Sequence, residues 1–335
     1  MARKILITRL AGLGDVASIL IPAVRLVREQ EPGAVIDALT YGAGIELMSL
    51  CTEVGDVLGI TQEQWPRDLI PATRSFLDIA QVIAPRGYDR IICLDTWFMP
   101  CFLAQVLMDI GLNVEGNHLD RPVSDFFAAL HAGKLPADYF GTAFMASSYP
   151  RMGDWLRPWW LTPQPHANYP EYYLVHCCGL GNAIDPRLPV DPDTAFRKAA
   201  AGRPIVAASF RGTTAIKHYK QADALTSLLR QAGYYVWTGF DGSLPMRTTL
   251  ARLATTDLLV TVATSTQWLA RLVGCPSLML PGAMHPAILG AEHTISQTVD
   301  CQYCCQRGCP AGRDYACMDV PAQDVMASIR RILAE

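Results

Sequence analysis

Residues 4–41 read "KILITRLAGLGDVASILIPAVRLVREQEPGAVIDALTY" and hold four structural signals in a row. The short apolar run at residues 4–10 predicts a strand, and the glycines of "AGLGD" predict a turn directly after it. Apolar residues then recur at the three-and-four spacing of a helix buried on one face, before "AVIDALTY" predicts a second strand. A strand, a helix and a strand in this order form a parallel crossover unit, which predicts an α/β sheet covered on both faces.

The same alternation recurs further along the chain. A strand at residues 88–95 precedes an apolar helix, whereas residues 120–190 show no clean period and predict loops and a linker rich in tryptophan and proline. From residue 203 onwards strands and helices alternate again, and a helix over 321–333 closes the chain. The sequence therefore predicts two doubly wound, Rossmann-like domains, 1–190 and 191–335, facing across a cleft with a ligand at the carboxyl ends of the strands.

Composition narrows the class of protein. Half of the 335 residues are hydrophobic and 18% are charged, which excludes a disordered chain and predicts a globular one. The net charge of −3 lacks the basic excess that nucleic-acid binding needs. Prolines interrupt the longest uncharged stretch, 272–291, so no transmembrane segment is expected. Near the amino terminus, Arg9 and Asp15 interrupt the apolar part that a secretion signal would require. We expect a cytoplasmic protein with reduced thiols.

Five of the eleven cysteines fall within "CQYCCQRGCPAGRDYACMD", residues 301–319. A C-x-x-C pair lets two thiolates approach one ion from a single turn, and two more sulfurs can complete a tetrahedral shell. The spacing predicts a structural iron or zinc ion in segment 301–317, with Cys305 as a spare thiol, and reduced cysteines without metal are the alternative. The four predicted ligands are Cys301, Cys304, Cys309 and Cys317.

The turn after the first strand carries a carboxylate. Gly12 and Gly14 allow backbone to approach a ligand closely, and Asp15 stands where the following helix begins. Asp15 could cap that helix, or it could accept a proton from a substrate hydroxyl. The third glycine of the dinucleotide-binding pattern is absent at the expected position.

Residues 4–41 resemble the opening of the family nine glycosyltransferases, typified by the ADP-heptose lipopolysaccharide heptosyltransferases. The resemblance implies two Rossmann-like domains in the GT-B arrangement and inversion at the anomeric carbon. The aspartate of the family's G-D-V motif, its catalytic base, corresponds to Asp15, and Gly12, Leu13 and Gly14 form the acceptor-side loop. Domain 1–190 would bind the acceptor and domain 191–335 the nucleotide sugar. Many members carry a similar cysteine pattern before the last helix, and in the related autotransporter heptosyltransferases, which modify protein serines, such a cluster holds iron.

The segment "ASFRGTTAIKHY", residues 208–219, resembles the family's phosphate-binding loop. Lys217 matches the lysine of its K-x-W motif, with Tyr219 in place of tryptophan, and the resemblance implies contact with the donor's phosphates. Without the resemblance, a solvated surface lysine is the simpler interpretation. Small or polar residues around it are the other predicted contacts: Ser209, Arg211, Thr213 and Thr214.

Residues 257–286, "DLLVTVATSTQWLARLVGCPSLMLPGAMHP", keep the frame of the family's donor-binding stretch but lose its polar signature. Ala263 replaces aspartate, Ser265 replaces glycine and Trp268 replaces histidine. Backbone N–H groups of Thr264, Ser265 and Thr266, at the predicted helix start, can still bind phosphate. These departures leave the identity of the donor open.

Taken together, the residues and the resemblance predict an inverting glycosyltransferase with Asp15 as the general base. It would transfer a sugar, with heptose as one candidate, from a nucleotide-diphosphate donor such as ADP-heptose to a hydroxyl of a glycan, lipid-linked or protein acceptor, without a catalytic metal. A sugar-nucleotide epimerase of the same architecture and a non-catalytic sugar-nucleotide-binding subunit are the alternatives. The oligomeric state stays open, with a homo-oligomer among the options.

Overall fold

The structure is a computed structural model and describes residues 2–141, 146–157, 159, 161, 167–182, 185–306, 308–309 and 312–334. The chain divides into two compact units. The first contains Met1–Arg157 and Pro170–Asp185, and the second contains Pro158–Tyr169 and Pro186–Glu335. The main change of unit, at residues 185 and 186, lies near the boundary predicted at 190, and part of the predicted linker belongs to the second unit.

The first unit is built on a six-stranded sheet with the order β3-β2-β1-β4-β5-β6. All its strands are parallel except the last, which is antiparallel to its neighbour. The strand order reverses between β1 and β4, and this is where open α/β sheets place their ligands. The strands are β1 (Lys4–Arg9), β2 (Val35–Tyr41), β3 (Val57–Ile60), β4 (Arg90–Cys93), β5 (Val114–His118) and β6 (Ala146–Ser147).

Helices cover this sheet because their apolar residues recur on the faces that meet it. The helices are α1 (Leu13–Asp15), α2 (Ile21–Gln30), α3 (Gly44–Met48), α4 (Leu69–Ile83), α5 (Phe98–Asp109) and α6 (Val123–His131). A π-helical segment, Val16–Leu20, joins α1 to α2 and is buried throughout. On the other side, Phe76, Phe102 and Phe126 of α4, α5 and α6 are fully buried in one core.

The second unit has a five-stranded, all-parallel sheet with the order β11-β10-β9-β7-β8. Its strands are β7 (Ile205–Ser209), β8 (Tyr235–Trp237), β9 (Leu258–Val262), β10 (Ser277–Leu280) and β11 (His293–Thr294). Its helices are α7 (Thr194–Ala199), α8 (Ala222–Gln231), α9 (Met246–Thr255), α10 (Ser265–Leu272), α11 (Pro286–Leu289) and α12 (Ala322–Ile332). The strand order reverses between β7 and β9, so a second ligand position is expected there.

The predicted α/β class with two doubly wound parallel sheets is confirmed. The interpretation of residues 120–190 as loops and linker was wrong in part, because α6 lies there and a second π-helical segment spans Glu171–Cys177. Phe126 of α6 is buried, so the helix is fixed by packing against α5 rather than by a clear repeat in its sequence. No helix in the described ranges is long and apolar enough to cross a bilayer.

Candidate functional site

Asp15 follows β1 at the carboxyl edge of the first sheet, where the strand order reverses. Its side chain is 32% exposed, and Oδ1 accepts a hydrogen bond from Nη2 of Arg9 at 2.6 Å. In the described residues no side chain caps α1 or the π-helical segment after it. The carboxylate is therefore engaged in an ion pair with Arg9, and the helix cap considered from the sequence is not observed.

Arg9 is the last residue of β1 and is only 2% exposed. Besides the ion pair with Asp15, its guanidinium donates to the carbonyl oxygen of Leu94. The guanidinium carbon lies 5.4 Å from the centroid of the Tyr173 ring, and the Tyr173 hydroxyl donates to the same carbonyl at 2.8 Å. A buried cation with several partners has little freedom to move, so Arg9 can hold Asp15 in one position.

Asp95 is a second carboxylate at this edge, directly after the end of β4, and it is completely buried. It accepts hydrogen bonds from the main-chain N–H of Leu10 at 2.8 Å and from the hydroxyl of Thr8 at 3.4 Å. Burial raises the pKa of Asp95 to about 6, although the positive charge of Arg9 opposes that rise. Two carboxylates and one guanidinium thus form a charged group around the end of β1.

Sequence reasoning missed Arg9 and Asp95 as members of this site. Both are charged residues at the end of an otherwise apolar strand run, "KILITRL" for Arg9 and "YDRIICLD" for Asp95. A charge that terminates a buried parallel strand points to the ligand-binding edge of the sheet. The sequence carries that signal, but it does not show that β1 pairs with β4 and so brings Arg9 and Asp95 together.

In the second unit the predicted phosphate contacts fall on two neighbouring strands. Ser209 ends β7, and Thr264, Ser265 and Thr266 follow β9, which pairs with β7 in parallel. The hydroxyls of Ser209 and Thr266 lie 3.0 Å apart, so the structure brings these two residues together. Thr264 is the N-cap of α10. Its side chain makes no capping hydrogen bond, so it does not occupy the first N–H groups of α10.

Residues 210–219 fold back on themselves in a tight loop. Tyr219 donates through its main-chain N–H to the carbonyl of Phe210 at 3.0 Å, and Arg211 pairs with His218 in an antiparallel bridge. The loop tip carries Thr213 and Thr214, both exposed. The polar residues predicted to contact phosphate are therefore presented by one closed loop after β7.

Lys217 ends a short 3₁₀ turn in this loop and is half-buried. Its carbonyl accepts from the N–H of Gly212 at 3.0 Å. A Cβ at position 212 would lie 2.6 Å from Cβ of Lys217, so only glycine permits this close approach. In the described parts of the chain Lys217 forms no ion pair, which leaves its ammonium group available to an anion.

Tyr219, which stands where the family has tryptophan, is buried and ties the loop to the C-terminal segment. Its hydroxyl donates to the carbonyl of Val320 at 2.9 Å. The next residue, Lys220, forms an ion pair with Asp314 at 2.7 Å, and its N–H donates to the carbonyl of Met318 at 3.1 Å. The cysteine-rich segment is thus bonded directly to the loop that carries Lys217.

Trp268, which replaces the family's histidine, packs into the second unit instead of pointing a polar group at a ligand. It is 9% exposed, and its ring lies 6.3 Å from that of Tyr169. Tyr169 in turn stacks against Trp159 at 6.5 Å with nearly parallel planes. Ala263, in the place of the family's aspartate, is also buried. The tryptophan that replaces the family's histidine thus makes an aromatic contact between α10 and Tyr169.

The four predicted metal ligands lie in one neighbourhood. Burial raises the pKa of the Cys317 thiol, and so do the charges of three nearby thiols, those of Cys301, Cys304 and Cys309. The main-chain N–H of Tyr315 donates to the sulfur of Cys309 at 3.2 Å. The donor set fits iron or zinc, yet no three His, Cys, Asp or Glu side chains in the described ranges meet in a metal-binding geometry.

No protein-family model and no curated protein matches this sequence. Solved structures of similar fold do, and three of them match nearly the whole chain. The glycosyl transferase family 9 structure from Veillonella parvula DSM 2008 has a TM-score of 0.67 at 12% identity and covers 99% of this chain and 97% of its own. The E. coli ADP-heptose lps heptosyltransferase II has a TM-score of 0.58 at 16% identity, covering 99% and 98%.

A third similar structure is the iron-containing dodecameric glycosyltransferase TibC from enterotoxigenic E. coli H10407. Its TM-score is 0.57 at 12% identity, and the match covers 99% of this chain and 76% of TibC. Identities this low establish a shared fold and no more. The chain has the fold of the family 9 glycosyltransferase and heptosyltransferase structures.

Proposed function

We propose that this protein is an inverting glycosyltransferase that transfers a sugar, with heptose as the first candidate, from a nucleoside-diphosphate sugar to an acceptor hydroxyl. The observation that carries the proposal is the carboxylate of Asp15, partly exposed and fixed by buried Arg9 at the strand-order reversal of the first sheet. A base held in one direction is what proton removal from an incoming alcohol requires.

In the proposed reaction one bond to the anomeric carbon forms as another breaks. Asp15 takes the proton of the acceptor hydroxyl as the acceptor oxygen forms a bond to the anomeric carbon. The bond between that carbon and the diphosphate oxygen breaks, and the diphosphate leaves with the electron pair. Lys217 and the N–H groups at the start of α10 would offset the charge that develops on the leaving group.

The fold supports this assignment. Structures that resemble the chain over nearly its full length, at 16% and 14% identity, carry heptosyltransferase names. A donor such as ADP-heptose, an acceptor on a glycan, lipid or protein, a homo-oligomeric assembly and a cytoplasmic location all belong to the proposal.

The first experiment measures which nucleotide sugar stabilises the protein. A donor at 100 times its Kd should add about 2.7 kcal/mol to the free energy of unfolding and raise Tm. Lys217→Ala should remove most of that shift, whereas Lys198→Ala, which changes an exposed lysine of α7 in the same unit, should leave it intact. A panel in which no nucleotide sugar raises Tm would refute the donor assignment.

The second experiment tests the base. Asp15→Asn should lower the rate of transfer or of donor hydrolysis by about 10² to 10⁴ while donor binding persists. Asp78→Asn, at an exposed carboxylate of α4, is the matched control and should keep the wild-type rate. Equal rates in Asp15→Asn and the wild type would exclude Asp15 as the base.

The cysteine segment belongs to the proposal as a structural ion site, with Cys301, Cys304, Cys309 and Cys317 as ligands. Bound iron or zinc would hold the segment against the loop of Lys217. Elemental analysis of the purified protein should find one equivalent of iron or zinc, lost with a fall in Tm in Cys304→Ser and retained in Cys305→Ser. Protein that contains neither metal would favour reduced, unmetallated thiols.

A non-catalytic sugar-nucleotide-binding protein is the second candidate, and the packing of Trp268 against Tyr169 favours it. Trp268 puts an apolar side chain where the family's donor signature has a polar one. Tight binding of a nucleotide sugar with neither transfer nor hydrolysis, unchanged by Asp15→Asn, would support the binding role over the enzyme.

A further inference from the structure

A pocket of about 400 Å³ lies in the second unit along β8, the last strand of its sheet. Its walls are the strand itself, residues 238–239 after it, one face of α7, and Arg252 of α9. The donor contacts predicted after β7 and β9 are not among these lining residues. Cavities of this size bind ligands, and the proposed reaction has no use for this one.

The sheet uses only one side of the main chain of β8. Tyr235 pairs with Ile205 of β7 and donates through its N–H to the carbonyl of Pro204 at 2.9 Å. The main-chain groups of successive strand residues point to opposite sides, so those of Val236 point to the outer edge. In the part of the chain that the structure describes, no strand pairs with that edge. An edge of this kind can take up an extended peptide as a further strand.

The sequence of β8 does not protect this edge from pairing. Edge strands are commonly protected by charged side chains, by proline or by a very short length. Residues 234–239, "YYVWTG", contain no charge and no proline, whereas β11, at the opposite edge of the sheet, has only two residues. Aromatic and β-branched residues also favour the extended conformation. The outer edge of β8 is therefore competent to pair with another strand.

The helix beside this edge leaves room for a further strand. Ala195 and Ala199 stand four residues apart on one face of α7, and both line the pocket and are exposed. Phe196 packs edge-on against Tyr235 at 5.4 Å and against Trp237 at 5.5 Å, which holds α7 against the strand. A strand added to β8 would turn every second side chain toward the two alanines.

Two arginines lie against the aromatic residues of β8. The guanidinium carbon of Arg203 is 5.1 Å from the centroid of the Tyr235 ring, and that of Arg252 is 5.9 Å from the centroid of the Trp237 ring. Arg252 forms an ion pair with Asp193 at 3.4 Å. Arg203 is exposed and forms no ion pair within the described ranges. The pocket and its rim therefore carry one positive charge in excess, which suits an acidic side chain.

We propose that this pocket docks an extended segment of a partner protein, which adds to β8 as a strand and carries an acidic side chain on the side facing α7. The N–H and carbonyl of Val236 would hydrogen-bond its main chain, a small apolar side chain would lie against Ala195 and Ala199, and the acid would meet Arg203. A second copy of this chain fits less well, because its β8 brings the same excess of positive charge. The inference does not depend on the proposed glycosyl transfer.

The experiment measures the binding of four peptides to the isotope-labelled full chain by NMR. Acetyl-Ser-Val-Thr-Glu-Thr-amide and the peptide of reversed sequence cover the two strand directions. The third peptide has lysine in place of glutamate, and the fourth carries a methyl group on each main-chain nitrogen. The tighter acidic peptide should bind about tenfold more tightly than the lysine peptide, a difference of about 1.4 kcal/mol, and the methylated peptide should not bind. Bound peptide should slow hydrogen exchange of the Val236 amide.

Three variants, each with a matched control, test the three contacts. Val236→Pro removes the outward N–H and should weaken the acidic peptide at least tenfold, whereas Val236→Ala keeps that N–H and should bind it. Ala195→Trp fills the pocket from an exposed position and should abolish binding, whereas Ala224→Trp, at an exposed alanine of α8, should not. Arg203→Gln should remove the preference for glutamate over lysine, which Arg331→Gln, at an exposed arginine of α12, should retain.

Several results would overturn the proposal. They are the absence of acidic-peptide binding at millimolar concentration, equal binding of the methylated peptide, and binding that leaves exchange of the Val236 amide unchanged. A wild-type dimer in sedimentation that both Val236→Pro and Ala195→Trp convert to monomer would assign the edge to a second copy instead. If Val236→Pro does not fold, Ala195→Trp and the methylated peptide decide the question. Peptide binding without any nucleotide-sugar shift in Tm would refute the proposed donor and leave this inference standing.

Discussion

Replacing Asp95 with asparagine should make the stability of the first unit less dependent on pH. In the folded protein burial raises the pKa of Asp95 from 3.8 to about 6, because the ionised carboxylate is poorly solvated there. Below pH 3.8 the folded and unfolded states are both protonated and no penalty arises. As pH rises, the unfolded state loses its proton first, so stability falls until the folded carboxylate also ionises near pH 6.

The size of the effect follows from the shift. Two pKa units or slightly more, at about 1.36 kcal/mol per unit, give a full penalty of about 3 kcal/mol. About half of this is reached at pH 5, and nearly all at about pH 7.5. The Asp95→Asn variant has no charge to bury, so its stability relative to the wild type should improve by about 1.5 kcal/mol between these two pH values.

Unfolding in urea is measured at the two pH values. Hydrogen exchange in peptides that cover β1 and β4 serves as the probe, so that the measurement reports on the first unit alone. Asp56→Asn is the control, since the hydrogen bond from Arg86 at 2.6 Å lowers the pKa of Asp56 below its ordinary value of 3.8, which already lies outside this pH window. A free-energy difference between Asp95→Asn and the wild type that stays constant from pH 5 to 7.5 would refute the argument from burial.

Three further substitutions probe packing and charge. Gly116→Ala should cost about 3 kcal/mol or more and lower Tm, since Gly116 has a φ of +102° and a Cβ would collide with a carbonyl oxygen of β4. Tyr219→Phe should cost about 1 kcal/mol in urea unfolding, because it removes one buried hydrogen bond. Arg9→Gln should lower transfer at least tenfold with less effect on donor binding, since Asp15 loses its partner; an unchanged rate would refute the positioning role of Arg9.

Much of the fold could be predicted because its strands are continuous apolar runs. The strands β1, β2 and β4 were expected within two residues of their observed ends, as buried parallel strands are mostly apolar. The strands β3 and β5 were missed for the opposite reason. They have four and five residues, and "VEGNH" of β5 offers neither an apolar run nor a regular alternation.

The candidate site could be predicted in part. Asp15 stands in a local motif, so its place after β1 could be inferred from neighbouring residues. Arg9, which pairs with it, is local too, but Asp95, which completes the charged group, follows another strand and meets the other two residues only through pairing of β1 with β4. The pocket lined by Tyr41, Trp65, Arg67 and Trp97 was not predicted, because its residues stand at or after the ends of different strands.

The bonds between the loop of Lys217 and the last part of the chain bear on how this protein can be engineered. Val325 and Ile329 of α12 are fully buried, and Gln221 donates to the carboxylate of Asp319 at 2.8 Å just ahead of that helix. A stop codon placed before residue 319 would remove α12 from the second core and would also remove the residues that bind the loop of Lys217. Affinity tags should therefore be appended after α12, and domain grafts should retain this helix.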